Sequence, residues 1–564
     1  MSSISPLRRL PVPLMDSILH RTRSMIPCQS RLFSATCQRR ATVSLEALDA
    51  SKGNRERIVI LGSGWAGYNL AQQLSAKYQT LVISPRSYFV FTPLLNSTAV
   101  GTLEFRTALE PVRSRKKPNI EFMQGRAEDI NFGKKLVTVE ETVAAPREGR
   151  AVVGDFYEEE SLDEAQKEKA KKRRKGKEWE VSYDKLVVAV GCYSQTFGTP
   201  GVRENAYFMK DVGDARKIRK RVLECFEIAN LPTTSETLRE QLLSFAIIGG
   251  GPTGMEFAAE LSDLISEDLT RLYPEMVKKV KIVVRDVAPS ILSMFDQKLA
   301  KYAMKQFTRQ GVDVRTSTRV VALRKGLPHQ KGHNEHMNVV ADSQGCYTLT
   351  TEDDGEIGVG MCVWSTGNMM NPFVQRELKK THGFPSASAT ITSSPAPKEP
   401  SAIDWMIEKH PKTGAIVVDD RLRVQLTSVS PSSTSSTAPH PFPATPSTAT
   451  VSDVFALGDN ATIRNNPLPA TAQTASQQAL WLAKRFNKDD LEKEPFTFKN
   501  MGIMTYLGDS KGLVQTGGVM GDISGRAAWL IWRGAYLTMS ISWRNKFLIS
   551  TFLNWAFGRD ISRF

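Results

Sequence analysis

Two apolar runs of strand length each break at glycines and continue with helical periodicity. In "RIVILGSGWAGYNLAQQLS", Ile58–Leu61 is a continuous run, as a parallel strand buried on both faces requires. "SFAIIGGGPTGMEFAAELSDLI" repeats the pattern from Ser244. "YDKLVVAVG" (183–191) and "MCVWSTG" (361–367) predict strands that end in a glycine turn, each closing a segment of a nucleotide domain. "DVFALGDN" (453–460) predicts a strand that delivers Asp459 to a loop and helix, where an acid can hold a polyol such as ribityl. The helix predicted for "PLPATAQTASQQALWLAKRF" (Pro467–Phe486) is unusual: its first turns carry small residues and Gln473 and Gln477 instead of an apolar stripe. Strands alternating with helices predict an α/β protein with parallel sheets.

Each long run enters G-x-G-x-x-G, first at Gly62, Gly64 and Gly67, then at Gly249, Gly251 and Gly254. The first glycine makes the turn, the second admits a pyrophosphate to the backbone, and the third lets helix and strand pack closely. The phosphates then rest on a helix N-terminus, where free N–H groups favour negative charge. Strand before and helix after both matches predict two Rossmann-like dinucleotide-binding domains. The second unit's next strand, "KIVVRD", ends at Asp286, an acceptor for adenosine ribose hydroxyls that favours NADH; the neighbouring Arg285 weakens that choice. The first unit offers Ser84 where an acid is usual.

At 564 residues, 41% of them hydrophobic, the chain is globular and too long for one core. Its net charge of +15 is uneven. Residues 1–40 hold seven arginines, seven serines and one acid, Asp16, the composition of a mitochondrial transit peptide. Ile523–Phe564 carries six basic residues and one acid among large apolar side chains. "AAWLIWRGAYLTMSISW" (527–543) and "NKFLISTFLNWAF" (545–557) are too short or interrupted to span a bilayer. They suit amphipathic helices lying on a membrane surface, with a dimer interface as the alternative. Two insertions stand out: charged residues 157–178, and a Ser/Thr/Pro linker at 427–450. The six cysteines form no CxxC pair, and His329, His333 and His336 sit in a polar loop without flanking ligands, so no metal site is expected.

In this order, "LGSGWAG", "ISPRSYFVFTPLL", "FGTPGV", "GGGPTGMEFAAEL", "WSTGN", "FALGDN", "TAQTASQQA" and "YLGDSKG" resemble the type II, non-proton-pumping NADH:ubiquinone oxidoreductases of fungal and plant mitochondria. The resemblance covers roughly residues 55–564 apart from the insertions, and Ser-Pro-Arg at 84–86 is that family's own sequence. It implies the two-dinucleotide-binding-domain flavoprotein fold. An FAD domain would span 55–243 and 361–486, an NADH domain 244–360, and a membrane-anchoring or dimerisation segment 500–564. Non-covalent FAD would rest on Gly62, Gly64, Gly67, Ser84, Arg86, Gly191 and Asp459. NADH would rest on Gly249, Gly251, Gly254, Asp286 and Gly367. Glu256 would lie near the nicotinamide–flavin contact, while Gln473 and Gln477, sharing a helix face, would donate to a ubiquinone carbonyl. The implied location is peripheral on the inner mitochondrial membrane, with the matrix side favoured, as a homodimer. A thiol-disulfide reductase is excluded because residues 68–110 contain no cysteine. A sulfide:quinone oxidoreductase, using Cys192 and Cys362, and an apoptosis-inducing-factor-like flavoprotein remain as alternatives.

Overall fold

The computed structural model describes residues 44–113, 119–142, 176–328, 345–376, 378, 380–383, 388–392, 403–429, 446–516, 521–539 and 559. The chain divides into two units, Met1–Ser51 and Lys52–Phe564. Of the first, residues 44–51 are described and open the helix Leu45–Lys52. The transit peptide, the three histidines and residues 545–557 lie outside the described residues, as does most of the charged insertion. All elements from Glu56 onward belong to the second unit.

The second unit begins with β1 (Glu56–Leu61), α1 (Trp65–Gln73), β2 (Tyr78–Ser84) and the short α2 (Leu95–Ala99). It continues with β3 (Ile120–Asn131), β4 (Leu136–Glu141), β5 (Glu178–Ser182) and β6 (Lys185–Val188). Strands β6, β1, β2 and β3 are parallel neighbours in that order, and β4 and β5 extend the edge antiparallel. Both faces of β1 are covered, which is why its apolar run is unbroken: Ile58, Val59 and Ile60 are fully buried.

A second sheet comes after α3 (Val212–Ala229). It contains β7 (Ser244–Ile248), then α4 (Pro252–Leu264), β8 (Lys281–Arg285), β9 (Val312–Arg315) and β10 (Met361–Trp364). Its order is β10-β7-β8-β9, all parallel, and the two-residue strand Tyr207–Phe208 lies outside β10. This corrects the expected domain boundaries. Met361–Trp364 is hydrogen-bonded along β7 and belongs to the second sheet, not to the returning part of the first domain.

The return to the first sheet is made by β11 (Arg423–Ser428) and β12 (Thr448–Ala456), with β12 parallel to β6. Both strands run into the expected 427–450 linker, because Thr427 and Thr448 pair across it. Next comes α5 (Ala472–Lys488), which starts later than its prolines suggested, at the Thr471 N-cap whose hydroxyl accepts Thr474 N–H at 3.2 Å. It packs on α1, where Asn69 Nδ2 donates to Ser476 Oγ at 3.2 Å. An antiparallel sheet of β13 (Ile503–Tyr506), β14 (Gly512–Gln515) and β15 (Asp522–Gly525) then leads into α6 (Arg526–Met539).

Among the described residues no helix is long and apolar enough to cross a membrane. Of the two expected tail helices, α6 is described. It buries Ala528 and Trp532, and Trp532 stacks on Tyr506 with ring centroids 5.3 Å apart. Among its described side chains the outward ones are Arg526, Ala527, Leu530, Gly534 and Thr538, of which Leu530 is the one large hydrophobe. This helix spends its aromatic face on the protein.

Candidate active site

The first fingerprint leaves β1 at Gly62, whose φ of +110° and approach to Ala189 O (2.3 Å from an ideal Cβ) exclude a side chain. Gly67 brings α1 onto the same turn, since a Cβ there would lie 2.0 Å from Gly62 O. Gly64 is different: nothing lies within 4 Å of its Cβ position, so its missing side chain leaves open space at the helix N-terminus. The second loop repeats this division. Gly249 has φ +117°, Gly254 would meet Gly249 O at 2.0 Å, and Gly251 faces open space. Neither α1 nor α4 has a side-chain N-cap, which leaves its first N–H groups available to an anion.

A cavity of ≈ 590 Å³ opens at the first loop, within the range of small-molecule and cofactor pockets. Gly62 and Gly64, Ser84 and Arg86, Gly191 and Asp459 line it from four strand ends of the first sheet. Ser84 Oγ lies 2.9 Å from Ser63 Oγ, and Arg86 Nε lies 3.1 Å from Asp211 Oδ2, so both side chains are fixed in place. Gly191 N–H donates to Asn460 Oδ1 at 3.0 Å, which ties the β6 turn to the turn bearing Asp459. From the second domain, Pro252, Thr253 and Glu256 of α4 and the Ser365–Asn368 turn reach the same cavity, with Gly367 at φ +77°. Gly67, Gly249, Gly251, Gly254 and Asp286 shape their loops from outside the lining.

Asp286 accepts the Gly250 and Ala288 N–H groups at 2.5 and 2.7 Å, which fixes its carboxylate beside the second loop. Arg285, named in the sequence as a competitor, is 2% exposed, with Nη2 2.5 Å from Asp354 Oδ2. Its Nη2 is held there, while its Nε and Nη1 are buried without a hydrogen-bond partner.

Glu256 is buried. It accepts Asn96 Nδ2–H and Tyr506 N–H, both at 3.1 Å, and burial pushes its carboxyl up to about 7. A carboxyl that changes charge near neutrality can hold or release a proton.

The two glutamines require a correction. Neither lines the cavity; the face of α5 that does so presents Ala472 and Ala475. Gln477 exchanges two bonds with the Lys499 backbone, Nε2 to O at 2.8 Å and N to Oε1 at 3.0 Å. Gln473 does the same with Gly502 O and Met501 N, at 3.4 and 3.3 Å. Both amides hold the extended segment 499–502 against α5, so a direct donor role to a carbonyl in the cavity does not fit this arrangement. The adjacent Gln478, missed in the sequence, is buried and accepts Gly458 N–H at 2.7 Å, which holds the Asp459 turn.

Cys192 borders the cavity 3.2 Å from Asp459 Oδ2, and burial pushes its thiol up to about 12. Cys362 is buried in β10 and is pushed equally high. Both are free thiols, and nothing here makes a thiolate pair.

Residues 56–385 match the pyridine nucleotide-disulphide oxidoreductase family. The chain belongs to that family. Within it, the chain is 38% identical to a probable NADH dehydrogenase of Dictyostelium discoideum, over 90% of this chain and 91% of the relative. It is 32% identical to an internal alternative NAD(P)H-ubiquinone oxidoreductase of Arabidopsis thaliana, over 91% and 86%. Identity to an external alternative NADH-ubiquinone oxidoreductase of Yarrowia lipolytica is 29%, over 90% and 81%. Among pyridine nucleotide-disulphide oxidoreductase folds, NDH2 from Plasmodium falciparum in complex with NADH aligns with a TM-score of 0.67 at 20% identity, over 90% of this chain and 100% of that one. The sulfide:quinone oxidoreductase of Aquifex aeolicus shares the fold at 0.53 and 15% identity, over 89% and 96%.

Proposed function

We propose that this protein is a non-proton-pumping NADH:ubiquinone oxidoreductase that carries FAD non-covalently. The observation that carries the reading is convergence: the first fingerprint loop, the Glu256 turn of α4 and the alanine face of α5 border one cavity. The residues present fit FAD, because the open space at Gly64 and the uncapped N-terminus of α1 provide a pyrophosphate cradle on a turn that Gly62 and Gly67 keep tight. Gly62, Gly64, Gly67, Ser84, Arg86, Gly191 and Asp459 would hold it, and Gly249, Gly251, Gly254, Asp286 and Gly367 would hold NADH. When bound, FAD supplies the two-electron chemistry, accepting hydride from NADH and passing electrons to ubiquinone.

The chain's own residues position and protonate. Glu256 holds a proton at the cavity wall. The N-terminus of α5 directs its dipole into the cavity, where it favours negative charge. Asp286, with Arg285 withdrawn to Asp354, favours NADH over NADPH. Gln473 and Gln477 contribute indirectly, by fixing the segment that leads to Met504, a lining residue. Ubiquinone would enter from lipid, with the tail beyond α6 on the inner mitochondrial membrane surface, on the matrix side, in a homodimer. Relatives named both internal and external leave that side to protease-protection assays on mitochondria.

The test is spectral titration of the purified flavoprotein. NADH should bleach the flavin and a soluble quinone should restore its colour. Bleaching by sulfide but not by NADH would overturn the reading in favour of a sulfide:quinone oxidoreductase.

A further inference from the structure

Helix α4 carries three carboxylates on one face, Glu256, Glu260 and Asp263, at i, i+4 and i+7. They are 6%, 4% and 5% exposed. Burying a carboxylate without a counter-charge is costly, so a buried row of three depends on hydrogen-bond donors and favours its protonated forms. Each is met by neutral donors. Beyond the Asn96 and Tyr506 N–H bonds to Glu256, Glu260 accepts Ser97 Oγ–H at 2.5 Å and Thr102 Oγ1–H at 2.9 Å. Asp263 accepts the Tyr506 hydroxyl at 2.6 Å and Asp509 N–H at 3.1 Å. Burial raises all three carboxyls above the usual range, Asp263 to about 6.

The charged and titratable surroundings are Tyr536 beside Glu256, Arg533 and Arg559 near Glu260, and Glu267 near Asp263. Arg559 is engaged by Glu267 and Asp268 at 2.7 and 2.5 Å. Among the described residues no cation forms an ion pair with the row.

A second observation lies at the cavity end of the row. Asn96 lines the cavity, yet its Oδ1 is buried without a partner while its Nδ2 donates to Glu256. Turned by half a rotation, the same amide would accept a proton carried by Glu256. Asn96 can therefore satisfy Glu256 in either charge state. At the far end, Asp263 meets the Asp509–Lys511 turn, where the Asp509 side chain is 65% exposed.

We propose that Glu260 and Asp263, with Asn96 and Tyr506, are positioning residues that resupply Glu256 with protons from the Asp509 turn. The inference rests on the quinone-reductase reading. The balance is simple: NADH delivers two electrons and one proton as hydride, and the quinol needs a second proton from solvent. The O–H bond on Glu256 breaks as one forms on the quinone oxygen. Glu260, one helical turn away, reprotonates Glu256, and Asp263 reprotonates Glu260.

The test uses the full-length holoenzyme and Glu260→Gln, with Asp263→Asn and Tyr506→Phe carrying it if the first variant fails to fold. Two readouts are required. Infrared titration of the protonated-carboxyl band, without any substrate, should lose one buried acid's transition in Glu260→Gln or Asp263→Asn, that of Asp263 near pH 6. Stopped-flow reoxidation by quinone should slow about tenfold or more with a larger solvent isotope effect, while bleaching by NADH stays within about twofold. Unchanged infrared titration, or reoxidation at the wild-type rate, overturns the relay. A wild-type flavin that NADH does not bleach would instead overturn the functional reading, and the infrared result would still decide whether the row shares protons.

Discussion

The two kinds of fingerprint glycine make opposite predictions. At Gly67 a methyl group would sit 2.0 Å from a backbone oxygen that cannot move without dislodging β1. Gly67→Ala should cost at least about 3 kcal/mol and yield protein without bound flavin. At Gly64 the backbone has an ordinary φ of −78° and the Cβ position is empty. Gly64→Ala should fold with an unchanged melting temperature and bind FAD weakly, as flavin fluorescence on dilution would report. Glu256 predicts a pH dependence. Its proton is held more tightly in the folded state, at about 7 against 4.5, so the stability it contributes is complete below pH 4.5 and lost as pH rises through 7. Glu256→Gln should therefore gain stability relative to wild type from pH 5 to pH 8, by on the order of 3 kcal/mol in urea unfolding. A gap that is flat with pH would refute the raised carboxyl.

At the scale of elements, α5 and the segment 499–502 act as one piece. Gln477→Ala removes two bonds to the Lys499 backbone, a loss of about 1–2 kcal/mol confined to that segment. Amide exchange at Lys499 should accelerate while the Asn69–Ser476 contact between α1 and α5 stays protected. The same variant should slow quinone reduction and leave bleaching by NADH intact, because the segment leads to Met504 and to the Tyr506 N–H on Glu256. The first fingerprint, its helix and the Asp459 turn could be placed from sequence because each depends on local chain chemistry. The partners of the glutamines could not. An amide facing an active site and an amide holding a strap have the same spacing on a helix. The α4 row was legible in principle, since the acids at 256, 260 and 263 share one face of a mostly apolar helix.

At the scale of the molecule, truncation separates the tail's proposed membrane contact from its part in the cavity wall. Deleting 540–564 should reduce flotation with liposomes while flavin remains bound. Deleting 522–564 also removes β15, Trp532 and the cavity-lining Tyr536, and should in addition impair quinone reduction. If both truncations behave alike in the quinone assay, α6 is not part of the cavity wall.

Two dinucleotide folds, their order and the glycines of both fingerprint turns are legible in the chain alone. Those features arise from backbone rules that act over a few residues: apolar strand, tight turn, uncapped helix. Packing between distant segments set Met361–Trp364 in the second sheet, turned Arg285 to Asp354, and brought Gln473 and Gln477 onto a backbone strap. It also gave Glu256 its neighbours, Asn96 from 160 residues earlier and Tyr506 from 250 residues later. Hydrogen-bond partners and burial are set by segments distant in the chain, and no local periodicity encodes them.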